Sequence, residues 1–528
     1  MFRKILSVGG FTLLSRLAGF VRDVVMAAVL GAGPIADAFL IAFRLPNHFR
    51  AIFAEGAFNA AFVPTYARLK EQGGLATARG FADEILTGMA VVHGVLLVAA
   101  LAFTPQFVGL LAPGLADDPA RFDLAVALTR ITFPYLALIS VATLISGALN
   151  ASDRFAVAAA SPILLNVCMI STLLCAALFV NAGYAAAWGV LISGMAQVAM
   201  VAWDAERSGI GLRFARPKLD PGTRQFLKAL GPAIIGSAGV QIALFADTII
   251  ATFLPTGALS ALYYADRINQ LPIGVVGIAI GTVLLPEMSR RLAAGDDAGA
   301  AHSQARAIEF AVLLALPFVV AALLIPDLTM RALFARGAFT RGDAAAAAAT
   351  LQAYGIGLLA FVVMRAFIAP FHARGDTTTP MIAALAAVAV NVALKFALMG
   401  PLAQVGLALA TALGGWLNLA LLVFFARRQK LPLGDRTLPA TLMRLAICGL
   451  VLAAVLLGAD PLLRRLMQSI GFAREELHFV LLVALGGLAY GLAVIALLGR
   501  RVLAPMLRRK TPRTDPPAAP PAEPPAST

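Results

Sequence analysis

Long stretches of the chain carry no Asp, Glu, Lys or Arg: 90–103, 163–180 and 479–498 are such runs. None alternates apolar and polar residues with the two-residue period of a membrane barrel strand. In lipid every backbone N–H and C=O must be satisfied within the segment or by a closed barrel, so these runs read as α-helices. Composition agrees, with 60% hydrophobic and 13% charged residues among 528 and a mean hydropathy of +0.86. A soluble fold of this length needs more charge to cover its surface.

Fourteen spans can be placed, near 5–31, 34–66, 81–112, 122–149, 156–181, 183–204, 225–254, 258–289, 304–325, 345–372, 379–400, 403–427, 437–459 and 477–499. The expected fold class is an all-α polytopic membrane protein. Several spans exceed the roughly 20 residues that cross a bilayer, which implies tilt or kinks. The N-terminus starts like a signal peptide, but Arg16, Arg22 and Asp23 interrupt the apolar run, so it reads as an uncleaved first span. Residues 510–528, rich in Pro and Ala, read as a disordered cytoplasmic tail.

Lys and Arg set the expected orientation. With both termini in the cytoplasm, 26 of the 42 Lys and Arg fall on cytoplasmic segments, 7 on outer loops and 9 within spans. The outer seven are Arg121, Arg331, Arg336, Arg341, Arg464, Arg465 and Arg474. The net charge of +14 thus belongs mostly to loops that meet anionic lipid, and no nucleic-acid partner is expected. Cys168, Cys175 and Cys448 lie in apolar runs without CxxC spacing, which argues against disulfides and zinc.

The chain also repeats itself. Residues 23–69 run span, short turn, DAFLIAFRLPN and VPTYARL; residues 247–292 run span, short turn, ALYYADRINQ and LLPEMSRRL. Asp23 and Asp247 stand 224 residues apart, with six spans per repeat. An even number of spans gives both halves one orientation, so two six-helix lobes related by a pseudo-two-fold along the membrane normal are expected, 1–222 and 223–430, with a site between them. Residues 431–509, holding spans 13 and 14, fall outside the duplication.

Ionisable residues inside a membrane are costly, by roughly 2.5–3.5 kcal/mol each on insertion scales, and face a cavity or a partner. The first span holds Arg16, Arg22 and Asp23; the second holds Asp37, Arg44, Arg50 and Glu55. Counting from the turns at Gly31, Pro34 and Gly257, Arg22, Arg44 and Arg267 each lie about 13–15 Å below the outer surface, near midplane. Three guanidiniums are therefore expected to converge there. Arg16 and Arg50 lie about 22–24 Å down, toward the cytoplasmic mouth. Asp23 and Asp266 supply part of the balancing charge, and a ligand with two phosphates would supply the rest, because Arg binds phosphate bidentately. The competing reading is Arg–Asp pairing that only staples the bundle. Arg130, Arg365 and Arg444 stand alone and read as snorkelling or stapling residues. Pro46, Pro64, Pro272 and Pro286 are expected to interrupt spans and permit hinging. Walker A, HExxH and GxSxG motifs are absent, so neither an ATPase nor a hydrolase has a foothold, and no cofactor is expected.

The segments SRLAGFVRD (15–23), GAGPIADAF (31–39), RLPNHFRAIFAEGAFNAAFVP (44–64) and YYADR (263–267) resemble the MurJ (MviN) family of lipid II flippases, within the multidrug/oligosaccharidyl-lipid/polysaccharide exporter superfamily. The resemblance implies a central cavity between two lobes, with spans 13 and 14 forming a groove for a lipid tail. It implies a non-enzymatic, monomeric protein of the bacterial inner membrane. The cargo would be lipid II, undecaprenyl pyrophosphate bearing a disaccharide-pentapeptide, moved to the periplasmic leaflet for peptidoglycan synthesis and cell shape. Membrane lipids and cell-wall synthesis proteins are the implied partners. By motif match, Arg22, Asp23 and Arg267 would engage the pyrophosphate, with Arg44 and Asp266 beside them; Arg16 and Arg50 would line the cavity and its entrance. Asp37, Glu55 and Gly56 would serve as gate residues. Some family members resemble a sodium-site pattern that Asp247, Asn391 and Thr411 match, but Lys395 stands where an acid would be. The expectation is that the Lys395 ammonium pairs with Asp247 in the cation's place; snorkelling or another partner is the alternative. A drug or polysaccharide exporter of the same superfamily and a membrane scaffold are the other functional readings.

Overall fold

The computed structural model describes residues 2–50, 56–216, 220–469 and 473–507. Every α or β element among them is a helix: α1 (Phe2–Leu30), α2 (Pro34–Arg50), α3 (Gly56–Ala102), α4 (Thr104–Leu111), α5 (Pro119–Thr132), α6 (Tyr135–Asn150), α7 (Ala156–Leu174), α8 (Ala182–Arg207), α9 (Pro221–Thr252), α10 (Ala258–Ala293), α11 (Asp297–Leu324), α12 (Pro326–Phe334), α13 (Arg341–Ala373), α14 (Thr378–Arg428), α15 (Leu438–Leu466) and α16 (Arg474–Leu507). Nine helical segments among the described residues are long and apolar enough to cross a membrane. The chain is a polytopic α-helical membrane protein.

Two helices are too long for one crossing. α14 has 51 residues, about 77 Å at 1.5 Å each, and breaks at Ala403, where φ is 47°. It supplies the eleventh and twelfth expected spans. α3 has 47 residues and breaks at Gly74, where φ is 76°. Its first part carries on from α2, so the expected span 34–66 is built from two helices, with 51–55 (Glu55 among them) outside the described residues. The expected span 81–112 stops earlier, at Ala102, and α4 begins anew with a proline in its first turn. α12 also begins with a proline at the equivalent place in the second repeat. The expected span 122–149 is divided at Phe133-Pro134 into α5 and α6, and 156–181 ends as a helix at Leu174. The helices run on through Pro46, Pro64, Pro272 and Pro286, while non-helical backbone falls at Gly74, Ala403 and Gly499. The expectation that these prolines interrupt spans is therefore corrected: in a bundle, neighbours and local adjustment absorb the lost N–H.

α1–α8 pack mainly among themselves, as do α10–α14, while α9 lies mostly on α3 of the first repeat, α15 leans on α11 and α16 on α15. The buried apolar core is continuous across both repeats at one end, joining Met26 and Phe39 to Leu259, Tyr264 and Phe339. A second core holds the opposite half of α10–α14 and the α15–α16 pair. The joined end carries the 31–33, 253–257 and 335–340 turns and is the outer end in the orientation expected from the basic residues.

Polar contacts lock this end. Ala338 N donates to Ala28 O at 2.7 Å, and Gly114 N donates to Thr252 Oγ1 at 3.2 Å. Gly31 (φ +69°) and Gly337 (φ +59°) flank the first contact, and a Cβ on Gly337 would sit 2.2 Å from Ala28 O. Both position and dihedral demand glycine. Gly337→Ala is expected to loosen the outer end. In a background without the native cysteines, a Val25→Cys probe should then react several-fold faster with a membrane-impermeant thiol reagent; an unchanged rate would show that the contact does not hold the closure.

Candidate functional site

Asp23 is the hub of the charged site. It faces α10 and is 3% exposed. Its Oδ1 accepts from Arg22 Nη2 at 2.7 Å and Nε at 3.1 Å, and from the Tyr263 hydroxyl at 2.9 Å. Its Oδ2 lies 3.2 Å from Arg267 Nε. Arg267 Nη2 also donates to Tyr263 OH at 3.0 Å, with its guanidinium 4.6 Å from the centre of that ring. Tyr263 and Arg267 are four apart on one face of α10, which is why the ring and the cation stack. One carboxylate thus serves two guanidiniums, and the set keeps a net positive charge. Arg22 is 6% exposed, whereas the Arg267 side chain is 35% exposed. One cation is fixed and the other reaches open space.

Beside this set, Tyr264 and its neighbours form an aromatic cluster that reaches toward the outer end. Tyr264 packs against Phe334 and Phe339 with ring centres 5.2 and 5.1 Å apart, and Phe20 meets Phe334 edge-on at 6.3 Å. Beyond it Asp37 is buried and caps α10 across the repeat boundary. Its oxygens accept from Gly257 N at 2.7 Å, Ser260 N at 3.0 Å and Ser260 Oγ at 2.7 Å, with Arg121 Nη1 at 3.6 Å. Toward the other end α1 and α10 present Leu13, Leu14, Leu17, Leu271 and Val275 exposed.

Arg16 is exposed and lies against Gly274, where a Cβ would come within 2.7 Å of its Nη1. Arg365, set aside above as isolated, reaches from α13 to Gly277, one turn further along the same face of α10. No carboxylate of the described residues pairs with either. Arg50 Nε donates to Asn47 Oδ1 at 3.1 Å at the end of α2, and Gly56 opens α3.

Arg44 corrects the expected convergence of three arginines. Its Nη1 turns toward Thr248 Oγ1, 3.5 Å away on α9. There it lines a separate cavity of about 380 Å³ with Asp247, Asp266, Tyr354, Lys395 and Thr411. Asp266 is likewise not beside Arg22. It accepts a short hydrogen bond from Gln270 Nε2 and faces this second cavity. Asp266 and Arg267 are adjacent on α10 and so point about 100° apart, Asp266 toward this cavity and Arg267 toward Asp23.

In the second cavity the Lys395 ammonium pairs with Asp247 Oδ1. The Lys395 side chain is 3% exposed and that of Asp247 38%. Thr411 Oγ1 donates to Leu407 O at 3.0 Å. Asn391 packs on Gly414, with its buried Oδ1 lacking a hydrogen-bond partner. The ammonium stands among them and engages the carboxylate. With Arg44 and Lys395 against Asp247 and Asp266, the cavity's charges balance, unlike those around Asp23.

A many-span helical bundle with a cationic site where its two repeats meet has the architecture of a membrane transporter. The family model described as Lipid II flippase MurJ matches residues 26–473. A Rhizobium meliloti (strain 1021) protein described as a probable lipid II flippase MurJ is 43% identical over 507 residues, covering 92% of this chain and 94% of its own. A Burkholderia cenocepacia lipid II flippase MurJ is 34% identical over 443 residues, with coverage of 81% and 84%. The chain belongs to the MurJ lipid II flippase family. Its fold is similar to that of a solved lipid II flippase MurJ in an inward closed conformation (TM-score 0.76, 22% identity, 94% of this chain and 99% of that one). It is also similar to that of an inward-facing MATE family transporter (TM-score 0.66, 13% identity, 80% and 97%).

Proposed function

We propose that this protein flips lipid II from the cytoplasmic to the periplasmic leaflet of the bacterial inner membrane by alternating access. The observation that carries this reading is the pair Arg22 and Arg267, drawn from both repeats and sharing the single carboxylate of Asp23. A pyrophosphate is the anion that two guanidiniums with one surplus charge would hold, because each fork accepts a phosphate bidentately. Arg16 and Arg365 lie one step nearer the cytoplasmic end and would meet the phosphates first. Residues 1–222 and 223–430 then act as the two rocking lobes, with Asp37 as part of the outer gate and 431–509 holding the tail. Both termini are cytoplasmic, and a monomer suffices because one chain supplies both halves of the site. No covalent step and no cofactor are involved. An inside-negative potential favours outward transfer of anionic phosphate by about 2.3 kcal/mol per charge per 100 mV.

The test is expression of this chain in a bacterium depleted of its own lipid II flippase. Leaflet-specific labelling should then find lipid II restored to the periplasmic side. If the protein is inserted and labelled lipid II stays inside, the proposal is wrong.

A further inference from the structure

The outer loops should be poor in arginine, yet six of their seven basic residues gather on one patch. Arg331, Arg341, Arg464 and Arg474 line a cavity of about 260 Å³ between α12, α13, α15 and α16. Arg465 follows Arg464, and Arg336 reaches Glu476 at 3.4 Å.

The acids at this cavity are already engaged. Arg331 pairs with Asp327 at 2.8 Å and with Glu475 at 3.5 Å; Arg341 shares Glu475 at 3.1 Å. Asp460 lies 3.1 Å from His478 Nε2. Arg464 and Arg474 have no carboxylate partner among the described residues. His478 is 6% exposed, lines the cavity and is the partner of Asp460 when protonated. The buried Arg331 Nε makes no hydrogen bond. The first turn of α16, starting at Arg474, adds the positive end of a helix dipole. The patch therefore keeps unspent cationic charge and unmet donor capacity facing one small volume.

Its surroundings indicate where the anion comes from. Leu324 lines the cavity and is 36% exposed, while Leu462, Leu466 and Val480, on the outward faces of α15 and α16, are 61%, 66% and 58% exposed. Such side chains at the ends of membrane helices meet acyl chains, with the arginines at headgroup level. We infer that this cavity binds the phosphate of an anionic lipid in the outer leaflet, with Arg464 and Arg474 as its principal ligands. The leaflet assigned rests on the orientation proposed above.

The test uses the full chain in nanodiscs and measures the lipid retained after detergent extraction, by mass spectrometry. Phosphatidylglycerol is expected to be retained over phosphatidylcholine. Retention should drop about tenfold in the Arg464→Gln/Arg474→Gln double variant and stay unchanged in Arg465→Gln, a neighbour outside the cavity. Thermal melting of each variant checks folding. Equal retention by wild type and double variant overturns the inference. Competition by millimolar inorganic phosphate would also overturn it, since the site would then take free phosphate. Orientation is read separately: a Cys at position 465 should react with an impermeant thiol reagent added outside intact cells. Failure of that labelling with retention intact would overturn the assignment to the outer leaflet.

Discussion

Cells that rely on Arg22→Ala or Arg267→Ala variants of this protein are expected to leave lipid II on the cytoplasmic leaflet, with flipping down about tenfold to a hundredfold for each. A hydrogen bond to a charged group contributes about 1.5–3 kcal/mol, and every 1.4 kcal/mol is a factor of ten. The two variants should fail differently. Arg22 is buried and shares Asp23 Oδ1 with Tyr263, so its removal also releases the hub. Arg267 is partly exposed, so its loss should spare folding and fall on cargo affinity. Asp23→Asn is the discriminating third variant. It leaves two guanidiniums around a neutral amide, a repulsion of about 4 kcal/mol at 4 Å and an effective dielectric of 20. Cargo should bind at least as tightly there, while transport stalls for want of the carboxylate that competes for the arginines. Full flipping by both Arg22→Ala and Arg267→Ala would falsify the pyrophosphate role.

The second large effect concerns Lys395. Asp247→Ala is expected to destabilise the protein by about 3–5 kcal/mol, because it strands a buried ammonium. Lys395→Met should cost much less, since the Asp247 carboxylate is open to the cavity and remains hydrated. The double variant Asp247→Ala/Lys395→Met should recover most of the stability lost by the first. Thermal unfolding in detergent gives all three. The same pair predicts flipping that persists when sodium is replaced by choline, because the ammonium already holds the carboxylate. A steep sodium requirement in the wild-type protein would defeat that assignment. If Asp247→Ala and Lys395→Met cost the same, the asymmetry argued from their exposure is wrong.

Much of this was legible along the chain. The apolar runs and the repeat led to the many-span fold, and axial counting brought Arg22 and Arg267 to one depth. Both inferences use local quantities, side-chain hydropathy and a rise of 1.5 Å per residue. Axial counting could not say which way a side chain points around the bundle. Arg44 has the same depth as Arg22 yet faces Thr248, and Asp266 turns from the site its neighbour Arg267 joins. Tyr263 lay inside the YYADR segment, and its four-residue spacing from Arg267 was the available signal. Nothing in the sequence marked Arg365 as facing the same stripe of α10 as Arg16.

The sequence by itself determined the solvent and the many-span helical class, because these depend on each residue and its near neighbours. Only the tertiary structure decided which charges face one cavity and that Asp37 caps a helix of the other repeat, and it chose the expected Lys395–Asp247 pair over the snorkelling alternative. Those pairings join residues 148 to 223 positions apart. They follow from how packed helices rotate against one another, which no local pattern encodes.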